Sequence, residues 1–445
     1  MSFLDSVPTH LRQKIEGQVN LVPGIYSHVD FSIAPERFAE EPAADTAMRR
    51  AFKGRRAELL RNRERVELIK AYTMIGDAVA DAYAALMPKY GFKGLVGMLD
   101  KACEGGIGAV ADAPQELNEL IRDMERVPDW LNMKLVREGA RLERNSYAHL
   151  APLVIRGGLL ATFMNKYSAL PMALTGTFSN STAAKRVLET ATFFTTTVQP
   201  GALERNGEGF KAAAKVRLMH SMVRFNIMRH GTHWDAKVFG VPIPQVDQMP
   251  AGLVSCFLMS IQVLKKGRTS FNETESARVE LARYRCFLLG LPEELLANNP
   301  RDIIDLMLTR HATLRKGFDD ATCGALIRAT LNAKLSSDDG VWGRIRQRME
   351  QGFSKLFFVR NFADSDFEFA ARLGIKISVS DRLWGATAAL LAFVQMSAYA
   401  IAAKLPGLRQ AVDAALVRKV DRLLRSYGKA EFTTDAAAYR PAHTT

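Results

Sequence analysis

The hydrophobic pattern of this chain is helical almost throughout. Apolar residues recur at intervals of three and four, and no period-2 alternation runs long enough to build a sheet. Residues 55–87 carry a helical pattern that Pro88 stops, and Pro114 opens another at PQELNELIRDMER. Asn180 and Ser181 can cap the run STAAKRVLETATFFTTTV, which ends at Pro200-Gly201. The next helix holds KVRLMHSMVRFNIMRHGTHW (215–234) and closes near Gly231. Further helices are predicted over 250–265, 273–289, 301–316, 320–335, 341–358 and 382–425. FGVPIPQVDQMP (239–250) reads as a loop, because its three prolines oppose a helix. IKISVS (375–380) is only a short β-favouring piece, and GGIG (105–108) is a turn with no strand before it. The expectation is an all-α, multi-helix single domain. Residues 1–110 would form an N-terminal helical layer, 111–430 the core and 431–445 a C-terminal tail.

Composition supports a globular chain. Of 445 residues, 48% are hydrophobic and 24% charged, so disorder is not the default. Sixty Lys plus Arg against 47 Asp plus Glu give a formal +13, which favours an anionic partner without choosing it. RRAFKGRRAELLRNRERVELIK (49–70) and RKVDRLLRSYGK are basic, but stacking on nucleic acid wants interleaved aromatics and the first stretch has only Phe52. Solvated helix faces are the preferred reading of both. Four scattered cysteines with no C-x-x-C pair exclude a disulfide framework, a zinc ribbon and a covalently attached c-type haem. The opening MSFLDSVPTHLRQKIEGQ has neither an apolar export region nor twin arginines, so a reduced cytoplasmic setting is expected.

One segment tests that expectation. LWGATAALLAFVQMSAYAIAA (383–403) lies without a charge between Arg382 and Lys404. Its length is enough to span a bilayer, yet its many alanines and its Gln395, Ser397 and Thr387 make it weakly apolar. A buried core helix is the preferred reading, with docking at a membrane surface as the alternative.

The candidate chemistry centres on His220. At about 100° per residue, Arg217, His220 and Arg224 fall in a wedge of about 60°. Leu218, Met219, Met222, Val223 and Ile227 fill much of the remaining circumference. One reading makes the wedge a narrow solvated stripe. The other uses what a haem needs: a neutral imidazole for iron and cationic partners for two propionates. A non-haem metal site at His230, His233 and Asp235 is less favoured, since Gly231 breaks the helical spacing and no H-E-x-x-H follows.

Several motifs then agree in order. VRLMHSMVR resembles the R-L-M-H-x-x-V-R element of the latex-clearing protein (rubber oxygenase) family, which includes MpaB-type oxygenases. LTGTF (174–178), KRVLETATFF (185–194), VQPGAL (198–203) and VPIPQVD (241–247) are similar to that family's L-T-G, R-x-x-[KE]-T, P-G and P-I-x-Q-x-D elements. The likeness covers about 170–260 well and the flanks only by helical character.

The resemblance implies an all-α fold with a globin-like core around non-covalent haem b, and oxygenase chemistry with O2. By position, His220 matches the family's proximal iron ligand. Arg217 and Arg224 match its flanking arginines, which would pair the propionates or support the pocket. Arg186 and Thr190 match distal residues, and Glu189 stands where rubber oxygenases carry a lysine. That departure and the missing export signal turn the expectation from polyisoprene to a smaller unsaturated isoprenoid, terpenoid or lipid, reached from a membrane surface. Glu189 would accept a proton or neutralise Arg186. Two readings compete: a haem protein that only binds gas, and a haem-free basic protein that binds a membrane surface or nucleic acid.

Overall fold

The computed structural model describes residues 3–175, 182–229, 234–336 and 338–428, and all regular structure there is helical. Two isolated bridges, Phe38–Leu314 and Thr46–Arg315, are the only β pairings among the described residues. The helices that build the site are α1 (Ala78–Ala84), α2 (Met133–His149), α3 (Ala183–Thr196), α4 (Glu208–Arg229), α5 (Gln245–Lys265), α6 (Glu273–Leu288), α7 (Pro300–Thr313), α8 (Val341–Phe362), α9 (Val379–Ala402) and α10 (Arg409–Tyr427). The all-α expectation holds.

Proline accounts for several displaced boundaries. Pro88 opens a helix instead of stopping one, because it sits in the first turn of Met87–Gly105, where its missing N–H has no intrahelical partner to lose. The run before it is broken into Arg56–Arg61, Arg63–Ala71 and α1, the last two capped by the side chains of Asn62 and Asp77. Asn180 and Ser181 lie outside the described residues, and Thr182 precedes α3 without a side-chain cap bond. The segment predicted as one helix over 382–425 is two, α9 and α10, parted where Gly407 takes φ +77° after Pro406.

The proline-rich 239–250 segment is only partly a loop, since α5 starts at Gln245 and contains Pro250. Pro250 cannot donate to the carbonyl of Val246, and Arg310 of α7 takes that carbonyl from its Nε at 3.1 Å. Pro171, inside the Lys166–Leu174 helix, frees the Tyr167 carbonyl in the same way, and Arg37 Nη1 donates to it at 3.3 Å. Both arginines also bind Asp247 Oδ1 at 2.7 Å. Burial pushes the Asp247 carboxyl up, but Arg37 and Arg310 outweigh it and hold it below the usual carboxylate range.

A large hydrophobic cluster runs from Phe3 through Tyr83 and Leu218 to Val420. A smaller one joins Leu160, Val187, Ile327, Phe358 and Ile375. The four cysteines are free and buried.

The burial expected for 383–403 is overturned. One side of α9 packs on α8, where Gly352 faces Gly385 and Lys355 meets Asp381 at 3.0 Å. The other side stays open: Leu383 is 66% exposed, Phe393 69% and Ile401 63%. Sequence cannot separate the two cases, because an apolar segment looks alike whether or not neighbours cover it. By length and composition this helix could cross a membrane, but its packed side ties it to the helical body.

Candidate functional site

α4 is held by carboxylates that the sequence places far away. Asp77 caps α1 and Asp81 follows one turn later, so both project toward the same neighbour. Arg217 Nε lies 2.5 Å from Asp77 Oδ2, and its Nη2 lies 2.7 Å from Asp123 Oδ2. Arg224 Nε sits 2.9 Å from both Asp81 oxygens, while its Nη1 donates to the carbonyls of Pro242 (2.9 Å) and Ile243 (2.8 Å). The Tyr26 hydroxyl completes the second cluster by donating to Asp81. Gly290, at φ +84°, makes room for the first: a Cβ there would lie 2.5 Å from Asp77 Oδ2 and 2.6 Å from Arg217 Nε.

These contacts overturn the solvated-stripe reading, since Arg217 and Arg224 are buried. Asp77, Asp123 and Asp81 already balance both charges, while Arg217 Nη1 and Arg224 Nη2 stay buried without a hydrogen-bond partner among the described residues. Burial works against both guanidinium charges, and the carboxylates more than offset it, holding each above its usual range. For Asp81, burial pushes the carboxyl up against the opposing pull of Arg224.

His220 stands between these two girders with a different partner. Its Nδ1 lies 3.0 Å from Gln248 Oε1 on α5. A backbone carbonyl assigns the protons along this chain of contacts, since it can only accept. Gly76 O accepts from Gln245 Nε2 at 3.2 Å, so Gln245 Oε1 faces Gln248 and accepts from its Nε2, also at 3.2 Å. Gln248 Oε1 is then an acceptor, and His220 Nδ1 must donate to it. The imidazole is left neutral, with a bare lone pair on Nε2 and no partner there among the described residues. Burial lowers the His220 pKa to about 4, against the pull of the Gln248 bond. The residue nevertheless keeps part of its surface accessible.

α3 lies against α4 across that region. Arg186 and Glu189 form a buried pair at 2.8 Å, not the surface pair that their spacing also allows. Arg186 Nη1 also reaches the sulfur of Met219, the residue before His220, at 3.6 Å. Glu189 Oε1 is buried without a hydrogen-bond partner among the described residues. Thr190 donates its hydroxyl to the Arg186 carbonyl at 3.0 Å, so that hydrogen is spent inside the helix. His230 and His233 lie outside the described residues.

Among the described residues no three His, Cys, Asp or Glu side chains converge on a metal position. The donor set at His220 is one neutral imidazole with a fixed tautomer on a partly accessible residue. That set fits a metal that brings its own macrocycle. Sequence reading missed Gln245, Gln248, Asp77, Asp81 and Asp123. Two of them left a trace: Asp77 and Asp81 sit one turn apart in an alanine-rich helix, a pattern that calls for buried cations.

Comparison with known proteins agrees with the all-α fold. Residues 145–395 match the family described as ER-bound oxygenase mpaB/B′/rubber oxygenase, catalytic domain. A solved structure of latex clearing protein in the closed state superposes with a TM-score of 0.55 at 18% identity, covering 80% of this chain and 91% of that one. No curated protein matches the sequence. With its matched catalytic domain spanning more than half of its length, the chain belongs to the mpaB/rubber oxygenase family.

Proposed function

We propose that this protein is a haem b-dependent oxygenase that joins O2 to an unsaturated apolar small molecule, an isoprenoid, terpenoid or lipid, with cleavage at the double bond. His220 would be its proximal iron ligand. The observation that carries this reading is the bare Nε2 of His220, held in one tautomer by the Gln248–Gln245–Gly76 relay. The haem, when bound, supplies the O2 chemistry. The chain's own part is positional. Gln248 orients the imidazole, and Arg217 and Arg224 brace α4 through α1 instead of pairing propionates. Arg186 presents a fixed cation beside Met219, and Glu189, whose Oε1 has no hydrogen-bond partner among the described residues, would serve as proton acceptor or neutralise Arg186. Thr190, its hydroxyl bonded within α3, serves as wall. The globin-like core would lie within 111–430, with 1–110 as a layer that supplies two of the three bracing carboxylates, Asp77 and Asp81.

A cytoplasmic location at a membrane surface fits the same reading, because such a substrate partitions into lipid. The open face of α9 is flanked by Arg382 and Lys404, an arrangement suited to anionic headgroups. Sedimentation with phosphatidylserine-containing vesicles should carry wild type down and leave Phe393→Glu in solution.

The deciding experiment compares absorption spectra of wild type and His220→Ala after haem supplementation. A Soret band present in wild type and lost or shifted in the variant supports the ligand. A well-folded wild type that takes up no haem would remove the reading. Chromatographic screening of alkene substrates for carbonyl products then separates an oxygenase from a protein that only binds gas.

A further inference from the structure

Buried arginines in this protein follow a rule with one exception. Every other buried arginine among the described residues has a carboxylate oxygen between 2.5 and 3.1 Å away, as Arg156 has in Glu350 at 2.8 Å. Arg285, on α6 and 4% exposed, has no carboxylate in ion-pair contact among the described residues, and Glu143 acts on it only from farther away. Its contacts are neutral: Nη1 donates to the Tyr147 hydroxyl at 2.9 Å and to Thr197 Oγ1 at 3.3 Å, and the guanidinium carbon lies 5.1 Å from the Phe194 ring centroid. Its Nε is buried with no hydrogen-bond partner. The nearby Glu143 is engaged by Arg278 at 3.3 Å.

A buried guanidinium without a carboxylate in contact is costly to keep. Here the neighbouring groups extend its donor set. Tyr147 accepts from Arg285, and its own hydrogen meets no acceptor among the described residues. Tyr147 shares a trait with His220, in that burial dominates its pKa, raising it, while part of its surface remains accessible. α3 links the two places, since Arg186 near one end touches Met219, and Phe194 and Thr197 near the other touch Arg285. Their separation along the helix axis is about 12–16 Å, at 1.5 Å rise per residue.

We propose that Arg285 and the Tyr147 hydroxyl bind a carboxylate carried by an apolar ligand, where α6 meets α2 and the end of α3. Two sources offer that chemistry. One is a propionate of the haem, which rests on the reading given above; the other is the acid group of an apolar substrate, which does not.

The test uses the full chain, wild type against Arg285→Met and Tyr147→Phe. The probes are haem, haem with both propionates esterified, dodecanoate and dodecanol, each titrated by absorbance or calorimetry. A haem site at Arg285 gives wild type about a tenfold or greater preference for haem over its ester. A substrate site gives the same preference for dodecanoate over dodecanol. In either case the preference collapses in Arg285→Met and weakens in Tyr147→Phe, while unliganded Arg285→Met melts no lower than wild type. A wild type that takes no haem yet prefers dodecanoate would end the haem reading and keep this site. No preference for either acid in wild type, or a preference that survives Arg285→Met, overturns the proposal.

Discussion

Arg224→Met tests whether the arginines around His220 serve the fold or a bound anion. The substitution keeps most of the side-chain volume and removes the charge. Asp81, also without exposure, would then face only the Tyr26 hydroxyl. At 2.9 Å and an effective dielectric of about 20, the lost attraction is about 6 kcal/mol before any relaxation. Protonation of the stranded carboxyl recovers part of that, so the expected loss of stability is about 3–5 kcal/mol. A second change, Asp81→Leu, removes the stranded acid and should restore most of it, leaving about 1 kcal/mol for the unpaired Tyr26 hydroxyl. Guanidinium denaturation followed by circular dichroism reads all three proteins, with equal slopes confirming that the midpoints are comparable. Haem uptake by the double variant is the second readout, and it should stay near wild type. A single variant within about 1 kcal/mol of wild type would refute the buried-charge reasoning. A double variant that regains stability but loses haem would show that Arg224 serves the cofactor directly.

Other outcomes follow from the same geometry. Gln248→Leu frees the His220 tautomer and should weaken haem binding by about 10–100-fold in an absorbance titration, with the helical spectrum unchanged; unchanged affinity would mean that the relay is incidental. Glu189→Gln should slow turnover at least tenfold while leaving the haem spectrum nearly intact, and full turnover would exclude Glu189 as the proton acceptor. His311, bonded through Nδ1 to the Met307 carbonyl at 2.6 Å, has its pKa lowered by burial from 6.5 to about 4. The unfolded chain therefore binds the extra proton between those values, and stability falls as pH drops from 6.5 toward 4. His311→Gln should flatten that slope by up to about 3 kcal/mol, which denaturation midpoints at pH 7 and pH 4.5 can measure.

What sequence conveyed and what it withheld divide along the range of the interaction. Helical periodicity is local, so the all-α class and most helices could be read directly, and the wedge of Arg217, His220 and Arg224 came from helix geometry alone. The wedge's partners are tertiary. Arg217 and Arg224 were read as pairing propionates or supporting the pocket, and the acids that meet them in the fold, Asp77 and Asp81, lie over a hundred residues away. Pro250 was read as a helix breaker because its lost hydrogen bond is a local cost. The repair by Arg310 is not local, and Asp247 binds that arginine and Arg37 together. The same division explains α9, whose apolar residues indicated a core only as long as neighbours were assumed on every side.

This bears on where the ligand's charge is met. If buried cations around His220 are already balanced by the chain, a carboxylate entering the interior must find the one that is not. Arg285 meets that condition, and nothing in its local sequence, ARYRCFLLG, separates it from Arg283, two positions earlier and paired with Glu280 at 3.1 Å. The difference exists only in the folded charge balance. Arg285→Met and Arg283→Met should therefore behave oppositely in the unliganded protein: the first leaves the melting temperature unchanged or higher, and the second lowers it by stranding Glu280. Equal losses in both would mean that Arg285 is balanced by a partner after all.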